Sequence, residues 1–380
     1  MKPVIRPVTN KNELKAFVQF PFELFRNHPF WIPAIRQQEM NTFDPAVNPS
    51  LEHSEYQLFT AWKDAKMVGR IACFINDLET RHLGEKHARF GWTDFVDDPD
   101  VSRALFEAAE NWAIERQCSC LKGPFGFNQL DKCGWLTEGF DILGVSATIY
   151  NYEYYPQHLR TMGYETDLQW LEVDLKMTEE LPEKFTRFTS LAKERFHLKT
   201  KTPGSAEELT QIGLHLFDLM METYHQLPGF VPISEKEKQA YIRRYIRFLR
   251  TDFVCLVTDE QNEPVGFGVT MPSLSKAMKK AKGRLFPFGI FHLLAARRWN
   301  DTADLVLIGV KEEWRKKGVH GVVFAEIGKA FIRAGIRRVQ IAPMQTFNVH
   351  VLTLWKDFEH KIYKRRETLK KTLFNSPEKI

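Results

Sequence analysis

Leu305-Val-Leu-Ile-Gly-Val-Lys-Glu-Glu-Trp-Arg-Lys-Lys-Gly-Val-His-Gly321 is the stretch on which the reading of this chain turns. The run from Leu305 to Val310 is apolar and reads as a buried strand. Val322, Val323, Phe324, Ile327, Ala330 and Phe331 then recur at helical spacing. Between strand and helix lies a basic turn, Arg315 to Gly321. The first N–H groups of a helix have no intrahelical partner and the helix dipole favours negative charge, so strand, turn and helix start form an anion site. Gly318 and Gly321 let a ligand approach the backbone. Many helices begin with such a turn. The segment after this one, Arg337-Arg-Val-Gln-Ile-Ala342, is a second apolar strand and gives the pattern its weight.

The resulting strand–Arg-x-x-Gly-x-x-Gly–helix–strand unit resembles the acyl-CoA-binding core of the GNAT acyltransferase superfamily, whose turn reads Gln/Arg-x-x-Gly-x-Gly/Ala. Arg315 and Gly318 match that turn. His320 stands where a small residue is usual, and Gly321 comes one place late. The resemblance implies that Gly309, Val310, Lys311, Arg315, Lys316, Lys317, Gly318, Val319, His320 and Gly321 hold a thioester donor. A backbone N–H near Gly309 to Lys311 would polarise the thioester carbonyl.

A chain of 380 residues has room for two domains of ordinary size. Its 27% of charged residues argues against long disorder. It contains no run of about 18 apolar residues, so a membrane-spanning helix is not expected, and Met1-Lys-Pro-Val-Ile-Arg-Pro has no signal-peptide core. The cysteines at 73, 118, 120, 133 and 255 have no zinc-ligand spacing. No metal is therefore expected, and the odd thiol count fits a reducing cytosol. The net charge of +5 is unevenly spread. Pro264 to Asn300 contains no Asp or Glu, but holds Lys276, Lys279, Lys280, Lys282, Arg284, Arg297 and Arg298 among Phe286, Phe288, Phe291, Leu293, Leu294 and Trp299. That mixture suits an anionic membrane surface or an acyl-carrier protein, or forms a solvated basic loop beside a CoA site. No nucleic-acid-binding motif accompanies it, so no nucleic acid is expected.

The order of elements repeats. Helix Glu13 to Phe25, hairpin Tyr56–Trp62/Met67–Ile75, strand Ala88 to Val96, a helix capped by Asp98-Pro99 and strand Leu168 to Val173 make one half. Helices Leu181 to Glu194 and Ala206 to Tyr224, hairpin Phe253–Thr258/Val265–Met271 and the opening unit make another. The pattern predicts an α/β fold with mixed sheets, two tandem GNAT-like domains over 1–178 and 179–380. In the first, the turn Thr93-Asp-Phe-Val-Asp-Asp-Pro-Asp100 carries four carboxylates, which would repel a pyrophosphate. The cofactor is expected in the second half, and the first supplies substrate pocket and support.

Asn27-His-Pro-Phe-Trp-Ile-Pro33, Lys122-Gly-Pro-Phe125, Cys133-Gly-Trp-Leu-Thr-Glu-Gly-Phe-Asp141, Gly229-Phe-Val-Pro232, Gly283-Arg-Leu-Phe-Pro287 and Ile362-Tyr-Lys364 together resemble the YghO-type bacterial GNAT family over nearly the whole chain. That group is similar to bacterial ceramide synthases. The resemblance implies an acyltransferase moving a fatty acyl group from acyl-CoA or acyl-carrier protein to a long-chain amine of sphingoid-base type. It would work in the cytoplasm, at the inner face of the membrane. Departures stand at Lys132, where a carboxylate is expected, and at Gln340, which cannot serve as a base. Amine acylation needs a proton acceptor and a way to stabilise the leaving thiolate. The residues expected to act are Glu138, Tyr155 (with Tyr154 beside it) and Asn348, and His350 and Tyr363 lie near the last of these. Each has a plainer reading: a loop ion pair for Glu138, core packing for the tyrosines, a helix cap for Asn348. Two other functions stay open: an aminoacyl or peptidyl transferase of tandem GNAT type, and a non-catalytic acyl-CoA- or lipid-binding protein.

Overall fold

In a computed structural model the described residues are 2–347 and 355–374. The first half opens with β1 (Val4–Pro7), α1 (Lys11–Leu24) and α2 (Arg36–Thr42). Asn10 caps α1 by accepting from the amides of Asn12 and Glu13. The hairpin of β2 (Ser54–Lys63) and β3 (Lys66–Asn76) turns on Asp64 and Ala65, both at positive φ, the geometry that matches the twist of paired strands. Then come α3 (Asp77–Leu83), β4 (Ala88–Phe95), α4 (Pro99–Glu115) and β5 (Cys120–Gly123). Asp98 caps α4 and Pro99 takes its first position, as the sequence indicates. β6 (Trp135–Glu138), α5 (Tyr154–Thr161) and β7 (Glu165–Lys176) follow.

The second half runs α6 (Glu183–Arg195), β8 (Lys199–Lys201), α7 (Ala206–Tyr224) and α8 (Glu235–Tyr245). β9 (Val254–Thr258), β10 (Pro264–Pro272), α9 (Ser275–Ala281) and α10 (Gly289–Arg298) come next. β11 (Thr302–Val310), α11 (Val319–Arg333), β12 (Arg338–Gln345) and β13 (His360–Thr372) complete it.

Among the described residues thirteen strands form one mixed sheet, ordered β1-β2-β3-β4-β5-β13-β7-β12-β11-β10-β9-β8, with β6 paired to β13. Two neighbouring pairs are parallel, β4 with β5 and β11 with β12, one in each half. The last strands are exchanged. β7 pairs with β12 of the second half, and β13 lies between β5 and β7. The cores follow this exchange: Leu171, Val173 and Leu175 of β7 pack with the apolar face of α11, and Leu369 of β13 packs with Phe90 and Leu105.

Pro264 to Asn300 is not a loop. It holds β10 and the helical hairpin α9–α10, because Leu274, Ala277 and Leu293 are spaced to bury one face of each short helix against the other. No helix among the described residues is long and apolar enough to cross a membrane.

Candidate active site

β11 and β12 pair only from Thr302↔Arg338 to Leu305↔Ile341, so the two parallel strands part before β11 ends at Val310. On its other edge, the register of β11 with β10 jumps from Val269↔Leu307 to Thr270↔Leu305. Val306 therefore has a register partner on neither neighbour. Lys311 N–H is bound to Val265 O at 3.0 Å. Since successive peptide groups of a strand face opposite edges, Val310 N–H and Ile308 C=O face the opening instead. There the Tyr224 hydroxyl donates to Ile308 O at 2.8 Å.

Past the strand, Gly318 adopts a left-handed conformation (φ 77) and leads into α11, which has no side-chain cap. A Cβ at Gly318 would stand 3.1 Å from that of Ala192 and 3.2 Å from Phe188 Cε1, so α6 closes one side of the turn and only glycine fits. Lys317 lies 3.8 Å from the centroid of Trp314, and Lys311 pairs with Glu222 at 3.3 Å. Arg315 and Lys316 are exposed. At the equivalent helix start of the first half, Asp98 already fills the cap and pairs with Lys63 at 2.6 Å. The Lys63 hydrogen bond, then the Asp100 amide, hold its carboxyl below the usual range despite some burial.

The opening borders a cavity of about 660 Å³ between the halves, within the roughly 300–1,000 Å³ usual for small-molecule sites. Phe22, Trp31, Ile35, Trp135, Ile149 and Tyr150 line it from the first half. Leu216, Phe217, Met220, Val269, Met271, Leu274, Met278 and Leu293 line it from the second. Motif segments far apart in sequence meet around it. Arg36 donates from its backbone to Gly283 O at 3.1 Å and from Nη1 to Lys282 O at 2.8 Å, which ties α9–α10 to the segment after Pro33. The Arg89 guanidinium, paired with buried Glu79 at 2.7 Å, also reaches Gly126 O and Gly229 O. Lys364 Nζ donates to Gly139 O.

Alternation along β11 sends Ala303 and Leu305 into the core under α11, and Asp304 and Val306 to the cavity. Asp304 is 1% exposed, and its Oδ1 has no hydrogen-bond partner. Burial pushes its carboxyl up to about 7. The nearby Ser273 hydroxyl opposes that shift, the Glu172 charge adds to it, and Arg338 opposes it again. A carboxyl of that acidity at neutral pH can accept or return a proton. Asp304 is the register partner of Gln340 on β12. Gln340 Nε2 donates to Tyr363 Oη at 3.2 Å, and Tyr363 donates to Glu172 Oε2 at 2.8 Å. Buried Arg366 neutralises Glu172 through Nε.

Of the residues expected from sequence to act, Glu138 and Tyr155 are among the described residues, and neither lines the cavity. Glu138 is exposed at the end of β6, paired with Arg365 at 3.1 Å, and does not line the cavity. Tyr155 is fully buried and stacked on Phe95 at 4.2 Å. Its hydroxyl accepts from Phe95 N–H, and burial, then the Asp94 charge, push its pKa well up. Tyr154 donates to Phe95 O at 2.6 Å. Asn348 and His350 lie outside the described residues. Tyr363 does belong to the polar cluster beside Asp304. Asp304 and Val306, which the structure places on the cavity wall, had no role in the sequence reading, although a lone carboxylate inside Ala303-Asp-Leu-Val-Leu-Ile308 is a visible signal.

Two half-sheets, each opened at a parallel pair beside a helix start, define the tandem GNAT fold. The structure superposes on a tandem GNAT protein from the clavulanic acid biosynthesis pathway with a TM-score of 0.55 and 10% identity, covering 99% of this chain and 100% of that one. The GCN5-related glucosamine N-acetyltransferase region of a fungal multi-domain GH3 β-N-acetylglucosaminidase gives 0.57 and 11%, over 97% of this chain and 38% of that one. No family model matches the sequence. Protein YghO of Escherichia coli (strain K12) is 31% identical over 334 residues, 84% of this chain and 82% of its own. A bacterial ceramide synthase of Caulobacter vibrioides (strain NA1000 / CB15N) is 28% identical over 328 residues, 81% and 80%. The chain belongs to the YghO family of tandem GNAT acyltransferases.

Proposed function

We propose that the protein transfers a fatty acyl group from an acyl-CoA or acyl-carrier-protein thioester to the amine of a long-chain, sphingoid-base-type acceptor. The observation that carries this is the opening between β11 and β12, which runs from an uncapped glycine turn to an apolar cavity. In this reading Arg315, Lys316 and the amides from Gly318 to Gly321 take the donor's phosphates. The donor's arm lies along Val310 and Ile308, and the thioester reaches Val306. From Val310 to Val306 is about 13 Å at about 3.3 Å per residue. The Val306 amide, rather than one from Gly309 to Lys311, polarises the thioester carbonyl. In this division of labour 179–380 holds the donor and shares the acceptor cavity with 1–178, with β7 and β13 exchanged between them.

The lipid character of the acceptor is supported by the cavity wall and by the α9–α10 hairpin. Leu274, Met278 and Leu293 line the cavity from the hairpin's inner side, while Phe286 (76% exposed), Phe288 (71%) and Trp299 (73%) stand out from it among the basic residues. Docked on an anionic leaflet, the hairpin would pass a long-chain base directly from bilayer to cavity. The test is incubation with palmitoyl-CoA and a panel of amines that includes sphingoid bases, read by mass spectrometry for free CoA and new amide. A long-chain amide formed in step with CoA is expected. Transfer only to short polar amines, or none, would overturn the reading.

A further inference from the structure

The cavity wall carries five carboxylates: Glu39, Asp94, Asp131, Glu237 and Asp304. Four are committed. Glu39 accepts from Trp92 Nε1 at 3.0 Å, and Asp94 is clamped by Arg70 at 2.6 Å. Asp131 accepts from Phe127 N–H at 2.8 Å and from the Tyr241 hydroxyl at 3.2 Å. Glu237 closes the capping box of α8 and accepts from Ser50 at 2.6 Å. Asp304 keeps a buried oxygen unpartnered, a costly arrangement that calls for an explanation. It stands two residues before Val306, about 7 Å along the strand, with Met271, Leu274 and Leu293 on the same cavity wall.

Building on the proposed acyl transfer, we infer that Asp304 meets the acceptor's amine through Oδ1 and takes its proton as the amide forms. The amine nitrogen attacks the thioester carbon. As the C–N bond forms, one N–H proton passes to the Asp304 carboxylate. The C–S bond then breaks with its electron pair on sulfur, and the proton returns to that thiolate, directly or through water. Amide and thiol result, and Asp304 is again a carboxylate. Glu172 on β7 faces this carboxyl across the sheet and favours its protonated form, while the hydroxyl of Tyr363 on β13 has its own pKa raised in part by the Asp304 charge. Arg338 on β12 and the Ser273 hydroxyl beyond β10 favour the ionised form. Lys132, which also lines the cavity, has its pKa lowered, chiefly by burial.

The experiment compares wild type with Asp304→Asn, which keeps the shape, and Asp304→Glu, which keeps the carboxyl. Palmitoyl-CoA binding is measured by calorimetry, and amide formation with sphinganine is followed from pH 5.5 to 9. Asp304→Asn should bind palmitoyl-CoA within twofold of wild type, lose at least 100-fold in kcat and lack the acidic limb near pH 7. Asp304→Glu should recover part of the rate together with that limb. Activity of Asp304→Asn within a few-fold of wild type, or an unchanged acidic limb, would overturn the inference. So would loss of palmitoyl-CoA binding in Asp304→Asn, which would mark a structural role. Wild-type protein that binds palmitoyl-CoA but acylates no amine would overturn the acceptor reading and this inference together, while leaving the donor site standing.

Discussion

Asp304 and Gln340 face each other as register partners across the parallel pair β11–β12, a carboxyl and an amide side by side on the cavity face of the sheet. The amide at 340 leaves Asp304 the one titratable member of the pair. Gln340→Glu would set two carboxyls together, and like charges raise the pKa of one of them. The acidic limb of the pH–rate profile should then move up by about one unit or more. An unmoved limb would mean that the two side chains are not electrostatically coupled.

Stability should carry the opposite signature to activity. The Asp304 carboxyl rises from 3.8 to about 7 on folding, so between those values the folded chain holds a proton that the unfolded chain has released. Stability contributed by this group is therefore full below about pH 4 and is lost as pH rises to about 7. Asp304→Asn should melt higher than wild type at pH 8, by about 2–4 °C for each kcal/mol recovered, with the difference shrinking towards pH 4.5. A lower melting temperature at pH 8 would show that the carboxylate supports the fold.

The glycine turn gives a separate prediction. Gly318 has positive φ and neighbours at 3.1–3.2 Å from a would-be Cβ, so Gly318→Trp must displace the turn. Arg315→Glu reverses one of its two exposed cations. Both should weaken CoA binding at least tenfold in calorimetry, and Arg315→Glu should leave the melting temperature within about 1 °C, as surface changes usually do. Full CoA affinity in both variants would remove the donor from this turn.

The α9–α10 hairpin predicts salt-sensitive attachment to anionic vesicles. Each well-placed cation contributes about 1 kcal/mol near such a surface, and screening removes it. Sedimentation with phosphatidylserine vesicles at 20 mM salt (about a 20 Å Debye length), release at 500 mM (about 4 Å) and loss in a Phe286→Ser/Phe288→Ser/Trp299→Ser variant are expected. Equal binding to neutral vesicles would contradict the electrostatic half of this account.

Much of the fold was legible because its signals are local. Asp98-Pro99 marked the start of α4, α7 ran over the residues its apolar period indicated, and the β11–turn–α11–β12 unit read correctly from one stretch. Pairing between distant segments was not legible. Nothing in Ile362-Tyr-Lys364 says that its strand inserts between β5 and β7, and α9 and α10 hid in a basic stretch whose few buried residues are spread over two short helices. The make-up of the cavity wall was hidden for the same reason. Glu138 and Tyr155 sit in conspicuous motifs, but one is held outward by Arg365 and the other is consumed by packing on Phe95. Asp304 shows in the sequence as a lone carboxylate in an apolar strand, but its unpartnered oxygen and its place on the cavity wall come only from the folded sheet.

The central claim, that one path joins the glycine turn to the cavity through the opening of β11 and β12, is tested most directly by a crystal structure with S-hexadecyl-CoA, a thioether that cannot transfer its chain. The account predicts the pyrophosphate on the amides of Gly318 to Gly321, the sulfur beside Val306 and the hexadecyl chain in the cavity near Asp304. A pyrophosphate bound elsewhere, or an alkyl chain directed away from the cavity, would contradict it.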